Sequence, residues 1–406
     1  MKMEATSVAE IQGLYGAFSF PEKLLQKIWL RGDFDRSRAA TTDGRGVRVV
    51  HPGKWNLLGG PDFKGARLVF GEGGERAREI TGEVEVHLRA GDWEAHAHAR
   101  DPAYDGVVLH VVLFPPDVGS VTRGAGGQEI PVLALLPLLH HDLEEYAAEE
   151  AVETLANRPG TRLSEELALL PPAELVATLH RHAEARWRQK VHFARLRVQR
   201  LGWEAACHHT ALEVLGYRFN RAPMLRLAGR WPLPAWARGE VDPEAAYAAE
   251  AEAWSLQGVR PANHPRARLR QYAAWTHARP DWPARLKRVA ATLPVIALAG
   301  EASTRDVRRE HGFTALREGL VEELCAGEVG GTRFDNLVCD GLLPLLAAHT
   351  EAELRALWQH WFAGDVPPVV TAALRHTGVC DGRSQPMSHG LAQGALGWMI
   401  DRENRQ

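Results

Sequence analysis

The sequence predicts an α/β domain with a mixed sheet over residues 1–150, followed by an all-α domain over residues 151–406. Three observations carry that prediction. The chain has 406 residues, more than one hydrophobic core usually serves. Short segments of alternating apolar and polar residues crowd the first third. From about Leu138 onward, Ala/Leu/Glu/Arg segments with helical periodicity replace them.

The elements follow in order. Ser19 and Glu22 stand at capping-box spacing, and Leu24, Leu25, Ile28 and Trp29 then give a helical apolar face over 19–29. A turn-rich stretch leads to strand character at 47–50. Residues 63–70 alternate as a strand, 71–75 read as a hairpin turn, and 80–88 alternate again. In that last strand Val84, Val86 and Leu88 share one face, and Glu83, Glu85 and His87 share the other. Residues 92–104 read as a helix, or as a helix followed by a turn. The apolar run 107–114 suits a strand buried on both sides, and 130–135 supplies one more. The order is helix, three strands, helix, strand, strand. Beyond it, helices are expected near 142–157, 163–170, 172–201, 203–216, 221–229, 243–257, 264–276, 315–326, 335–348, 351–364 and 367–375. Proline-rich breaks fall between them, including the stretch 231–242.

Composition narrows the class. The net charge of −3 excludes a uniformly basic nucleic-acid binder. The charge is uneven: residues 1–150 hold 16 Lys+Arg against 23 Asp+Glu, and the remainder holds 32 against 28. Cys207, Cys325, Cys339 and Cys380 are scattered with no C-x-x-C pair, so a zinc knuckle is not indicated, and reduced thiols fit a cytoplasmic protein. Residues 1–12 lack the features of a signal peptide, and no apolar stretch approaches a membrane span. P-loop, G-x-S-x-G and dinucleotide fingerprints are absent.

The chemistry-bearing array is Pro61-Asp62, then Glu83-Val84-Glu85-Val86-His87, then His96 and His98. An aspartate on one strand and a Glu-x-His on the next can place two carboxylates and an imidazole around one point. Carboxylate oxygens suit Mg²⁺ or Mn²⁺. Such an ion stabilises a phosphorane-like transition state and acidifies water, and His87 would orient or deprotonate that water. His96 and His98 lie two apart, so a regular helix turns them away from each other, whereas an extended or turn segment lets both reach one site. In that case His87, one of His96 and His98, and Glu85 form a transition-metal site. His110 reads as a buried, hydrogen-bonded histidine within its strand, and Trp93 and Tyr104 as core.

The array resembles the PD-(D/E)XK nuclease superfamily, in which an Asp on one strand and Asp/Glu-x-Lys on the next sit in an αβββαβ core. Here Pro61-Asp62 and Glu85-Val86-His87 supply the motif, with His in place of Lys, and the element order fits a nuclease-like mixed sheet. The resemblance implies that Asp62 and Glu85 hold the metal and that His87 takes the water-activating position. It also implies that Glu22 matches an acidic residue on the first helix of some members. It makes the expected function a divalent-metal-dependent phosphodiesterase acting on nucleic acid. Two alternatives stand beside it: a catalytically degenerate nuclease fold serving as a nucleic-acid-binding or assembly scaffold, and a hydrolase with a His-rich transition-metal site. The chain also resembles a bacterial family of uncharacterised proteins through His51-Pro52-Gly53, Gly60-Pro61-Asp62-Phe63, Gly82 to His87, Asp92-Trp93, His96-Ala97-His98, Asp101 to Tyr104, Val108 to Val112 and Gly258 to Arg266. The cysteine-rich C-terminal end of some members is absent.

Two basic stretches bear on partners. Residues 180–200 carry Arg186, Lys190 and Arg197 among other cations, with Trp187 and Phe193 interleaved. Such a stripe tracks a phosphate backbone or is a solvated helix face. Arg260 and Arg266 flank a Pro-bracketed turn before a helix, which either binds an anion or forms a packing corner.

Overall fold

The computed structural model describes residues 22–56, 59–71, 77–116, 121–140, 143, 146, 161–217, 220–251, 253–256, 259, 261–296, 303–350, 352–382 and 385–403. The chain divides into two compact units, Met1–Ala147 and Ala148–Gln406. The expected cap at Ser19, most of the turn at 71–75, most of the helix at 142–157, and Arg260 lie outside the described residues.

The first unit opens with helix α1 (Glu22–Arg31). Strands β1 (Val47–His51), β2 (Lys54–Trp55), β3 (Phe63–Phe70) and β4 (Arg78–His87) follow. A one-turn helix α2 (Asp92–Ala95) leads through two 3₁₀ turns to β5 (Val107–Val112), and β6 (Thr122–Arg123), β7 (Glu129–Ile130) and β8 (Val132–Ala134) complete the unit. The sheet order is β1-β3-β4-β5-β8, with β2 paired to β3. β1, β3 and β4 pair antiparallel; β4–β5 and β5–β8 pair parallel. The sheet is therefore mixed. Leu24, Leu25, Ile28 and Trp29 of α1 join Ala66, Leu68, Val84, Val86, Leu109 and Val111 in one core, so α1 covers the face on which Val84 and Val86 lie.

The polar face of β4 is not solvated. Residues 84–87 are all buried, because β4 lies in the interior of the six-stranded sheet and both of its faces are covered. In register, His110 of β5 lies beside Glu85, and Val112 beside His87. The apolar run ends as a strand at Val112, and the expected strand at 130–135 is two short pieces. The expected helix over 92–104 is broken. Ala97 adopts a left-handed conformation (φ 59°), which ends the helical turn. Asp101 then caps a new 3₁₀ turn that begins at Pro102.

The second unit is helical. Its 30-residue helix Pro172–Leu201 starts on a proline and stops at Gly202 (φ 77°), where an L side chain would be strained. The expected helix at 335–348 is interrupted by a π-helical turn, Val338–Leu342. Helices Leu233–Ala237, Trp282–Val289, Thr304–Glu310 and His389–Glu403 lie outside the helices expected from sequence. The last of these packs so closely on Pro172–Leu201 that a Cβ on Gly394 would lie 2.3 Å from the Leu179 carbonyl oxygen. Among the described residues, no helix is long and apolar enough to cross a membrane.

Candidate metal centre

The centre begins where β3 starts. Phe63 pairs with Val84, so the N–H of Val86 projects beyond the end of β3. Asp62 takes its place: its Oδ2 accepts from Val86 N (3.1 Å), while its own N–H donates to Glu85 Oε2 (3.0 Å). The two carboxylates are interlocked through backbone amides. Asp62 Oδ1 also accepts from Gln26 Nε2 (2.7 Å), and Gln26 Oε1 accepts from Trp55 Nε1 (3.2 Å). Gln26 stands one helical turn after Glu22, whose charge acts on both carboxylates. Burial pushes Asp62 up to about 6, against the opposing hydrogen bonds from Gln26 and Val86. Burial, and then the neighbouring Asp62, pushes Glu85 up to about 8. Burial also raises Glu22, with His96 acting in the opposite direction.

Two histidines close on the other oxygen of Glu85, and a third, His96, joins them through His87. Glu85 Oε1 lies 3.4 Å from His87 Nε2 and 3.4 Å from His98 Nε2. His87 Nε2 lies 3.3 Å from His98 Nε2 and 3.1 Å from His96 Nδ1. The left-handed Ala97 makes this possible, since it reverses the helical sense between His96 and His98 and turns both rings onto His87. His87 and His98 are buried, and His96 is exposed. Tyr104 stacks on His98 with ring centroids 3.8 Å apart, and Trp93 packs edge-on against it. Burial, followed by the neighbouring histidines, lowers His87 to about 4 and lowers His98. The His87 and His98 imidazoles are thus neutral at physiological pH and present lone pairs without first losing a proton. Burial raises the Tyr104 hydroxyl to about 12, so it remains a donor.

These donors fit a borderline transition metal. With metal–nitrogen distances of 2.0–2.1 Å, a tetrahedral site has ligand–ligand edges of roughly 3.3–3.4 Å. The edges among Glu85 Oε1, His87 Nε2 and His98 Nε2 are 3.3, 3.4 and 3.4 Å. Imidazole with one carboxylate is a Zn²⁺, Fe²⁺ or Mn²⁺ donor set, and Mg²⁺ prefers oxygen alone. Both Asp62 oxygens are engaged by protein donors, so Asp62 acts as a strut for the neighbouring strand.

The other expected residues lie elsewhere. Glu83 packs beside Gly106, one strand repeat from Glu85. On Pro172–Leu201 the three named residues are all paired within the protein. Arg186 Nε donates to Gln393, Lys190 pairs with Asp340, and Arg197 pairs with Glu213. Arg266 pairs with Glu244 and covers the Tyr247 ring. Asn263, in the Pro-bracketed turn, accepts from two buried arginines, Arg268 (2.6 Å) and Arg333 (3.3 Å), which makes that turn a packing corner. Sequence reasoning missed Gln26, which no spacing connects to Asp62. Tyr104, expected as core, does pack against the Trp93, Val107 and Ile130 cluster, and its ring also stacks on a candidate ligand.

A family model described as "Protein of unknown function (DUF2851)" matches residues 22–248. No curated protein and no solved structure matches the chain.

Proposed function

The chain belongs to the DUF2851 family of proteins of unknown function, and we propose that it is a transition-metal-dependent phosphodiesterase whose ion is held by Glu85, His87 and His98. The observation that carries this reading is the triangle of donor atoms with edges of 3.3–3.4 Å. Support for a phosphodiester substrate comes from the Asp62–Glu85 pair on adjoining strands, and from a sheet in which an antiparallel meander precedes a parallel crossover. Both features resemble PD-(D/E)XK nucleases, and nucleic acid is the substrate class that likeness implies.

A bound divalent ion supplies Lewis acidity and acidifies water. The chain's own residues do the rest. Asp62 fixes Glu85 through its backbone N–H and fixes β4 through Val86. Tyr104 and Trp93 clamp the His98 ring. His96, exposed beside His87, is the group that meets substrate or takes a proton.

Chelator-stripped protein reloaded with Zn²⁺, Mn²⁺, Fe²⁺ or Mg²⁺ tests this. One equivalent of transition metal should bind by elemental analysis, with cleavage of bis(p-nitrophenyl) phosphate and of DNA or RNA. Glu85→Ala and His98→Ala should lose the metal; His96→Ala should keep it and lose turnover. Stoichiometric binding of Mg²⁺ alone would move the ion to the carboxylates.

One observation favours a second reading. Both Asp62 oxygens and one Glu85 oxygen are already satisfied by protein donors, as in a structural network. A chain that binds no metal yet binds nucleic acid, or assembles, would be the degenerate scaffold.

A further inference from the structure

We infer that His110 and Thr122, neither of which is a proposed ligand, are positioning residues that hold His87 in the tautomer ligation requires. This rests on the metal reading above and names the device that sustains it. His87 Nδ1 lies 2.9 Å from His110 Nε2, and His110 Nδ1 lies 2.9 Å from Thr122 Oγ1. All three residues are buried: 1% exposed for His87, 0% for His110 and 5% for Thr122. Both nitrogens of His110 are therefore committed within the protein, in a line that ends on a hydroxyl.

A neutral histidine side chain in water favours the tautomer protonated on Nε2. That tautomer is useless for a ligand that must offer Nε2. In His87, Nε2 is the atom that faces Glu85, His96 and His98. A threonine hydroxyl can accept as well as donate, so the line can run in the direction that an ion on His87 Nε2 requires. Thr122 Oγ1 accepts from His110 Nδ1–H, His110 Nε2 accepts from His87 Nδ1–H, and His87 Nε2 is left with its lone pair toward the ion. Each ring carries one proton, so the arrangement is neutral throughout. Ligating histidines are ordinarily anchored through the second nitrogen by a carboxylate, carbonyl or water; here an imidazole and a hydroxyl take that part. Trp93 holds the line in place. Its indole N–H donates to the Arg123 carbonyl, next to Thr122, and its ring packs against both His98 and His110.

A histidine that merely filled the core would need no defined proton. Thr122→Val keeps the side-chain shape and removes the acceptor, and Thr122→Ser restores the acceptor in a smaller side chain. With Zn²⁺ or Mn²⁺ titrated into chelator-stripped full-length protein, Thr122→Val should weaken binding about 10–100-fold, and Thr122→Ser should recover most of it. In the loaded wild type, ¹⁵N-histidine NMR should find the His87 proton on Nδ1. A folded Thr122→Val that binds within threefold of wild type overturns the inference and leaves the ion site standing. A His87 proton on Nε2 in the loaded protein overturns the inference and takes His87 out of the ligand set, and remains readable if Thr122→Val fails to fold. A wild type that binds neither ion removes the site and the relay together.

Discussion

Glu85→Gln should abolish a specific pH dependence of stability in the first unit. The wild-type carboxyl titrates at about 8 in the folded chain, because burial and Asp62 disfavour its charge, against a reference of 4.5. A raised folded value means that the native state keeps a proton which the unfolded state has released. Stability from this group is therefore complete below 4.5, falls as pH rises toward 8 and levels off above it. Other groups obscure the lower part of that range. Asp62, at about 6, acts in the same direction, whereas His87 and His110, lowered to about 4 and about 3, act in the opposite one up to their reference of 6.5. Between 6.5 and 8 the unfolded-state histidines lose only their last half proton each, and Glu85 dominates. One and a half pH units at 1.36 kcal/mol per unit give about 2 kcal/mol of lost stability. Glutamine matches the protonated acid in shape, still accepts from the Asp62 N–H and does not titrate. The assay is hydrogen exchange of β4 and β5 peptides in chelator at both pH values, corrected for intrinsic rates, so that this unit alone is read. Wild type should lose about 2 kcal/mol more opening free energy than Glu85→Gln between the two pH values. An equal loss in both would refute the assignment of the high value to Glu85.

Ala97→Gly should leave metal affinity intact and change stability by less than about 1 kcal/mol, since glycine adopts the left-handed turn freely but costs more to order. Ala97→Ile, β-branched at the same φ, should separate His96 from His98 and cut affinity by at least tenfold; isothermal titration reads both variants. Gly82→Ala should destabilise the first unit by about 1–3 kcal/mol, because its Cβ would lie 2.3 Å from Val108 Cγ1 and 3.0 Å from the Gly106 carbonyl oxygen. Chemical denaturation with and without chelator would read that loss. Asn263→Ala should destabilise the second unit by about 1–3 kcal/mol, as Arg268 and Arg333 lose the acceptor they share.

The strands that build the site were legible because their information is local. The alternation over 63–70 and 80–88 marks β3 and β4, and Asp62 and Glu85-Val86-His87 fall where those strands bring them together. The side of β4 on which Glu85 and His87 lie was legible; its burial was not, since burial depends on Trp93, His98 and Tyr104 folding over it. Nothing in Ala95-His96-Ala97-His98 signals a left-handed residue: alanine favours helix, and the break appears only where packing against His87 compensates for it. The helix His389–Glu403 was hidden for the opposite reason. Its glycines weaken helix propensity, yet Gly394 is what lets it approach Leu179. Lys190 and Arg197 looked like an exposed stripe because Asp340 and Glu213, which neutralise them, are distant or on the next helix.

On the proposed likeness to PD-(D/E)XK nucleases, a histidine at position 87, where that motif carries lysine, reads as a change of ion rather than a loss of catalysis. A lysine ammonium two residues after Glu85 would be a fixed cation beside two buried carboxylates. It would hold both ionised and would offer no lone pair. His87 is neutral at physiological pH, so nothing on that strand offsets Asp62 and Glu85, and the Glu85 carboxyl rises to about 8. The missing charge has to come from elsewhere when both groups ionise. On the proposed reading it comes from a divalent ion, which His87 and His98 hold through nitrogen and which draws the proton off Glu85 as it binds. Loading should then release a proton near neutral pH, so binding heats measured in buffers of different ionisation enthalpy should differ in proportion. Binding heats that do not vary with buffer would mean that Glu85 is already ionised, or that the ion does not use it.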